Sequence, residues 1–238
     1  MKKSSIDQAI LYEDNHLIIL NKRPSDIVQG DKTGDEPLSE ILKNWLKIRY
    51  GKPGEVFLGV VHRLDRPVSG ALVFARTSKA LSRLNIMLRD GKIQKTYWAV
   101  VKTKPPRDED HLVQFLTRNL EKNKTFVHDN PVAGSQKAEL IYKVIGKSDG
   151  YYLLEVNLLT GRHHQIRAQL AAMGCPVKGD LKYGYPRSNQ GGFIHLHART
   201  IEFIHPVKKE MLKITAPPPQ DKLWDFFTLN SKTDAVSQ

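Results

Sequence analysis

Apolar and polar positions alternate with two different periods along this chain, and the switches between them mark its elements. Residues 1–8 are polar and read as a flexible N-terminus. Ile10 to Tyr12 and Leu17 to Asn21 flank a polar turn and predict a β-hairpin. Gln29 to Pro37 is a Gly- and charge-rich loop. Leu38, Ile41, Leu42, Trp45 and Leu46 then recur at helical spacing, and Gly51-Lys52-Pro53-Gly54 ends that helix. Two apolar runs, Val56 to Val61 and Ala71 to Ala75, predict buried strands on either side of a loop. Thr77 or Ser78 is placed to cap a further helix, with Leu81, Leu84, Met87 and Leu88 as its apolar face and Gly91 past its end.

Gln94 to Val101 reads as a central strand. After a Pro-rich charged connection, the runs 112–116, 125–128, 138–145 and 151–159 read as strands. Turn signals at Asp129-Asn130-Pro131 and Asp149-Gly150 separate them and favour antiparallel pairing. A helix is expected from His164 to Met173, stopped by Gly174, with Arg167 on its polar side. His195-Leu196-His197, Ile201 to Ile204 and Met211 to Thr215 read as late strands. Leu223, Trp224, Phe226 and Phe227 predict a short docking helix, and 228–238 a disordered tail. Many strands with few helices, not in alternating βα units, predict an α+β fold. No internal repeat or linker divides residues 9–227, so one domain is expected.

The chain has 238 residues, 40% hydrophobic and 26% charged, which suits a soluble protein with a real core. Its net charge of +12 favours a polyanionic partner, foremost nucleic acid. A lone cysteine, Cys175, excludes an internal disulfide and fits a reducing compartment. No apolar segment follows Met1-Lys2-Lys3 as in a signal peptide, and no run is long enough to cross a bilayer. A cytoplasmic monomer with no membrane partner is the expectation.

The loop between the apolar runs at 56–61 and 71–75 reads His62-Arg63-Leu64-Asp65-Arg66-Pro67-Val68-Ser69-Gly70. Its His-Arg-Leu-Asp followed by Ser-Gly resembles the catalytic motif of the RluA-type RNA pseudouridine synthases. Further stretches match that family in order: Glu13 to Lys22, Lys95-Thr96-Tyr97, Thr160 to Arg167, Lys178-Gly179-Asp180 with Tyr183-Gly184, Leu196-His197-Ala198 and His205-Pro206. The resemblance spans about Ile10 to Pro217. It implies a bent, mixed and mainly antiparallel sheet flanked by helices, with an RNA-binding cleft. Many members carry an N-terminal S4 domain; none is expected here, since the chain starts at the hairpin.

The implied reaction breaks the bond between uracil and ribose, turns the base, and rejoins it through carbon. It needs an ionised carboxylate but neither redox cofactor nor metal. The resemblance gives that role to Asp65. Attack on the sugar, attack on the base and removal of a sugar proton all remain open. Arg167 is implied to hold the charge of Asp65, and its planar fork suits a carboxylate. Tyr97 is implied to stack on the uracil. Arg63, which points away from Leu64 in an extended chain, is implied to hold a flipped nucleotide. Arg162 and His163, next to His164, form a basic cluster before a helix, fit for phosphate contact or for a solvated loop. Ile166 and Leu196 are pocket walls or core.

His163, His164, His195 and His197 show no metal-ligand spacing, so no metal is expected. RNA, ribosomal or transfer, is the expected partner. A non-catalytic RNA-binding or RNA-folding module on the same scaffold is the alternative. A glycoside hydrolase would need a second placed carboxylate, which the motifs lack.

Overall fold

A computed structural model describes residues 6–30 and 34–230. The chain is laid out as two compact units, Met1–Ile93 with Ala198–Pro217, and Gln94–His197 with Pro218–Gln238. All the ladders described below are antiparallel.

In the first unit, β1 (Ile10–Glu13) pairs with β2 (Leu17–Lys22) as the hairpin expected from sequence. β2 runs along β4 (Ser69–Ala75), with Leu17 opposite Ala75 and Lys22 opposite Gly70. β4 is buried at every position, which is why it reads as an unbroken apolar run rather than an alternation. The other predicted flank, Val56 to Val61, shrinks to β3 (Gly59–Val60), which pairs with Ala75 and Phe74. Val56 and Leu58 are buried without joining a ladder, so their apolar character reports burial rather than strand.

The last strands of this unit are β10 (Leu196–Ile204) and β11 (Met211–Thr215), which pair with each other. β10 is continuous where sequence suggests two pieces. Helix α1 (Leu38–Arg49) buries Leu38, Leu42, Trp45 and Leu46. Helix α2 (Ser78–Arg89) starts at Thr77, whose side chain accepts from the Ala80 N–H. Ala80 and Leu84 of α2 join Leu17, Ile19, Val73 and Phe203 in one core.

The second unit carries the strand order β5-β9-β8-β6-β7, namely Gln94–Val101, Tyr151–Leu158, Gln136–Ser148, Glu109–Asn119 and Lys124–His128. Helix α3 spans Gln165–Ala172, and α4 spans Lys222–Asn230. Trp224 and Phe227 of α4 pack on Trp98, Val100 and Leu153. Asp221 caps α4, its Oδ1 accepting from the N–H groups of Leu223 and Trp224. A β-bulge falls between Val144 and Gly146. A side chain at Gly146 would press on Phe227, at 3.2 Å, so glycine permits this approach.

Two end boundaries differ from the sequence reading. Ile6 is buried, so order begins before residue 9. Helix α4 continues past Phe227 to Asn230, whose side-chain amide donates to the Phe226 carbonyl at 2.9 Å. The expected tail from 231 onward lies outside the described residues.

Candidate active site

In the first unit Asp65 opens a tight turn, with the Val68 N–H donating to the Asp65 carbonyl at 3.0 Å. Leu64 and Val68 are buried, Arg63 and Arg66 are exposed, and Asp65 is partly buried between them. Two apolar anchors, Leu64 and Val68, therefore fix the loop that carries Asp65.

The turn is also held from beneath. The Lys22 side chain is buried, and its Nζ donates to the carbonyls of Arg23 (3.0 Å), Arg66 (3.2 Å) and Val68 (2.6 Å). The Ser25 N–H donates to the same Arg66 carbonyl at 2.9 Å. Burial pulls the Lys22 ammonium down to about 7, against the charges of Asp26 and Asp65, which favour the protonated form. All three ammonium protons are spent on carbonyls, so Lys22 is a clamp on the Asp65 turn. Gly70 closes the motif with φ +117 and its α-carbon against the backbone of Ala198, where no side chain fits.

Lys22 has no assigned role in the sequence reading. Its one signal there is a lysine ending an otherwise apolar strand.

In the second unit Tyr97 lies on β5, buried and opposite Val156 of β9. Leu196, at the start of β10, and Ile166, on α3, are both buried. Sequence places Arg167 on the polar side of this helix, but that side is not solvated. Every residue of α3 from Gln165 to Leu170 is buried. The helix tolerates this because its buried polar side chains find partners, Gln169 Oε1 alone of its side-chain polar atoms being left without one among the described residues. Gln165 accepts from the Thr160 hydroxyl (2.8 Å) and the Arg162 N–H (2.9 Å), and donates to the Glu139 carbonyl (3.0 Å). Gln169 donates to Gln114 at 3.2 Å.

Arg167 donates through Nε and Nη2 to the two oxygens of buried Asp180, at 2.7 and 2.9 Å, and its guanidinium lies 5.1 Å from the Tyr183 ring centre. This two-point grip fixes the plane of the fork. Asp180 comes from the Lys178-Gly179-Asp180 motif, which is legible in sequence without its task.

Arg162, His163, Ile166 and Arg167 thus share one loop and helix. His163 and His164 stack with ring centres 3.7 Å apart. His164 takes a left-handed backbone, φ 51, at the start of α3. The Thr125 hydroxyl donates to the His163 carbonyl at 2.8 Å and so is left to accept from His163 Nδ1 at 2.9 Å. Tyr183 accepts from the Thr125 N–H at 2.9 Å, and its hydroxyl also pairs with His164 Nδ1 at 2.9 Å. Arg162 is exposed, with Nε donating to the Lys137 carbonyl at 3.1 Å. Of this cluster Arg162 is the open cation, while the two histidines are held by protein partners.

Buried His195 meets Asp221 at 2.9 Å and packs on Trp224. Burial pushes its imidazole down to about 4, the Asp221 hydrogen bond opposing. Among the described residues no three His, Cys, Asp or Glu side chains converge in a way that would hold a metal ion. No helix among them is long and apolar enough to cross a membrane.

Residues 16–172 match the family model described as RNA pseudouridylate synthase. The chain is 33% identical over 224 residues to ribosomal large subunit pseudouridine synthase C of Vibrio cholerae serotype O1, covering 91% of this chain and 67% of that relative. The enzyme of the same name from Buchnera aphidicola subsp. Baizongia pistaciae is 34% identical over 218 residues, covering 87% and 66%. Among solved structures, human RNA pseudouridylate synthase domain containing 4 superposes with a TM-score of 0.79 at 22% identity, over 96% of this chain and 95% of that one. That likeness carries the fold, an α+β pseudouridine synthase fold. The match over most of the chain carries the family: this protein belongs to the RluA-type RNA pseudouridine synthases, isomerases that convert uridine to pseudouridine.

Proposed function

We propose that this enzyme isomerises particular uridines of ribosomal RNA, using Asp65 as the catalytic carboxylate and Tyr97 and Arg167 on the same nucleotide. The names of the relatives, which are ribosomal large subunit enzymes, favour ribosomal over transfer RNA. The observation that carries the assignment of Asp65 is its mount. A turn clamped by a buried lysine through two of its own carbonyls holds one carboxylate at a fixed point. Such stiffness suits a group that must meet one atom of a substrate.

The target uridine leaves its stack, since a stacked base hides its bond to the sugar. Asp65, ionised, acts while the bond from N1 to the sugar breaks. The base turns, C5 bonds to the sugar carbon, the C5 proton is lost and N1 gains one. No atom is added or removed. Tyr97 supports the uracil ring. The family resemblance gives Arg167, whose plane is set by Asp180, the task of holding the charge of Asp65. Arg63 and Arg162, both exposed, meet phosphates of the surrounding RNA.

The test is to map pseudouridine in total RNA from cells with the wild-type gene, without it, and with Asp65→Asn. Sites in ribosomal RNA that vanish in both altered strains support the reading. Purified Asp65→Asn is expected to bind the same RNA within about tenfold, or 1.4 kcal/mol, while forming no product. Full product from the variant removes Asp65 from the mechanism. RNA binding by wild-type protein without any product would favour the non-catalytic module.

A further inference from the structure

Lys95 and Lys22 make an informative pair. Both are lysines drawn out of water, and burial lowers the ammonium pKa of each. Lys22 spends its three donors on carbonyls. Lys95 has no hydrogen-bond or ion-pair partner among the described residues. A partly buried ammonium without partners costs stability, and lysines ordinarily escape the cost by extending to solvent.

The setting of Lys95 is specific. It sits on β5 two residues before Tyr97, so the two side chains leave the same face of the sheet. Thr96 between them faces the other way and donates to Asn157 of β9. The ammonium lies next to Gly161, 3.4 Å from where a side chain there would begin. Gly161 is exposed, and the next residue is Arg162. Three unspent N–H donors thus lie on the Tyr97 face, beside the loop that carries the exposed Arg162.

We propose that Lys95 is a phosphate-binding residue, and that its ammonium takes a phosphodiester of the substrate RNA beside the target nucleotide. This rests on the RNA substrate proposed above, which carries one such anion at every nucleotide. An ammonium suits the task as a point charge whose donors rotate to meet a phosphate. The lysine then has its counter-charge when RNA is bound, and the cost carried by the free protein favours binding. Lys95 is a substrate-binding residue, separate from the bond-making step.

The experiment compares wild type, Lys95→Met and Lys95→Arg on an unmodified transcript of large-subunit ribosomal RNA. Affinity is measured across a salt series, alongside KM, kcat and thermal melting. For Lys95→Met we expect KM and Kd to rise about tenfold. The slope of log K against log salt should fall by about 0.7, the value for one lost contact to a single strand. Turnover at saturating RNA should change far less than KM. Lys95→Arg should recover both affinity and slope. Melting of Lys95→Met should be no lower than wild type, because the ammonium it removes has no partner to lose.

Unchanged affinity and slope in Lys95→Met overturn the proposal. So does a clear drop in melting temperature, which would make Lys95 a structural residue, and so does a failure of Lys95→Arg to recover binding. Should wild type form no pseudouridine in this RNA, the functional reading fails. The binding and salt arms still decide Lys95.

Discussion

Asp180→Asn isolates the support of Arg167 from Arg167 itself. Both partners of this ion pair are buried, and two charge-assisted hydrogen bonds join them. Asparagine keeps the size of the side chain, but loses the charge and turns an N–H₂ group toward a guanidinium that is itself only a donor. Breaking one side of a buried pair typically costs about 3–5 kcal/mol. For a chain of this size each kcal/mol moves the melting point by about 2–4 °C, so a fall of about 6–20 °C is expected.

Turnover should fall as well, by about 10–100-fold, equivalent to about 1.4–2.8 kcal/mol in the barrier. The plane of the fork is no longer set, although Asp180 has no assigned contact with RNA. The assay pairs a thermal melt with pseudouridine formation, and adds the double variant Arg167→Met with Asp180→Leu. Removing both charges should recover much of the lost melting temperature and none of the activity. Arg167→Lys should keep charge and lose the two-point grip, giving partial activity. If Asp180→Asn melts within about 2 °C of wild type and turns over normally, the pair is not the support described here. An active double variant would remove Arg167 from the reaction.

Lys22→Met should lower stability to urea by about 2–4 kcal/mol, because three charged hydrogen bonds are lost and only part of that is offset by relief of a buried charge. Pseudouridine formation should fall with it, and an equally active variant would show that the turn needs no clamp. Acid should destabilise the second unit through His195, whose folded imidazole takes a proton only near 4 while the unfolded one does so near 6.5. The unfolded state binds more protons in that window. Stability is therefore full above pH 6.5 and falls toward pH 4 by about 3 kcal/mol. Urea titrations at pH 7, 5.5 and 4.5 should show this slope, and His195→Gln should flatten it.

What sequence reveals here depends on how far apart the interacting residues lie. The hairpin at 10–22, the Thr77 cap, the β5 strand and the Asp65 turn are each set by residues within a few positions of one another, and each was legible. The supports are different. Lys22 reaches the carbonyls of Arg66 and Val68, more than forty residues on, and Asp180 meets Arg167 from the far side of a loop. No periodicity records such partners. Periodicity even misplaces Arg167, because a short helix with Ile166 and Leu170 on one stripe should expose the residue between them. It is buried instead, since Gln165, Arg167 and Gln169 all find partners inside the protein.

The same logic separates Lys95 from Lys22. Both end or begin apolar strands and look alike in sequence, and only the three-dimensional count of carbonyls tells a clamp from a cation left for a ligand. A family motif thus names the residues proposed to meet substrate, while the residues that make the motif rigid must be found from where buried charge is, and is not, already answered.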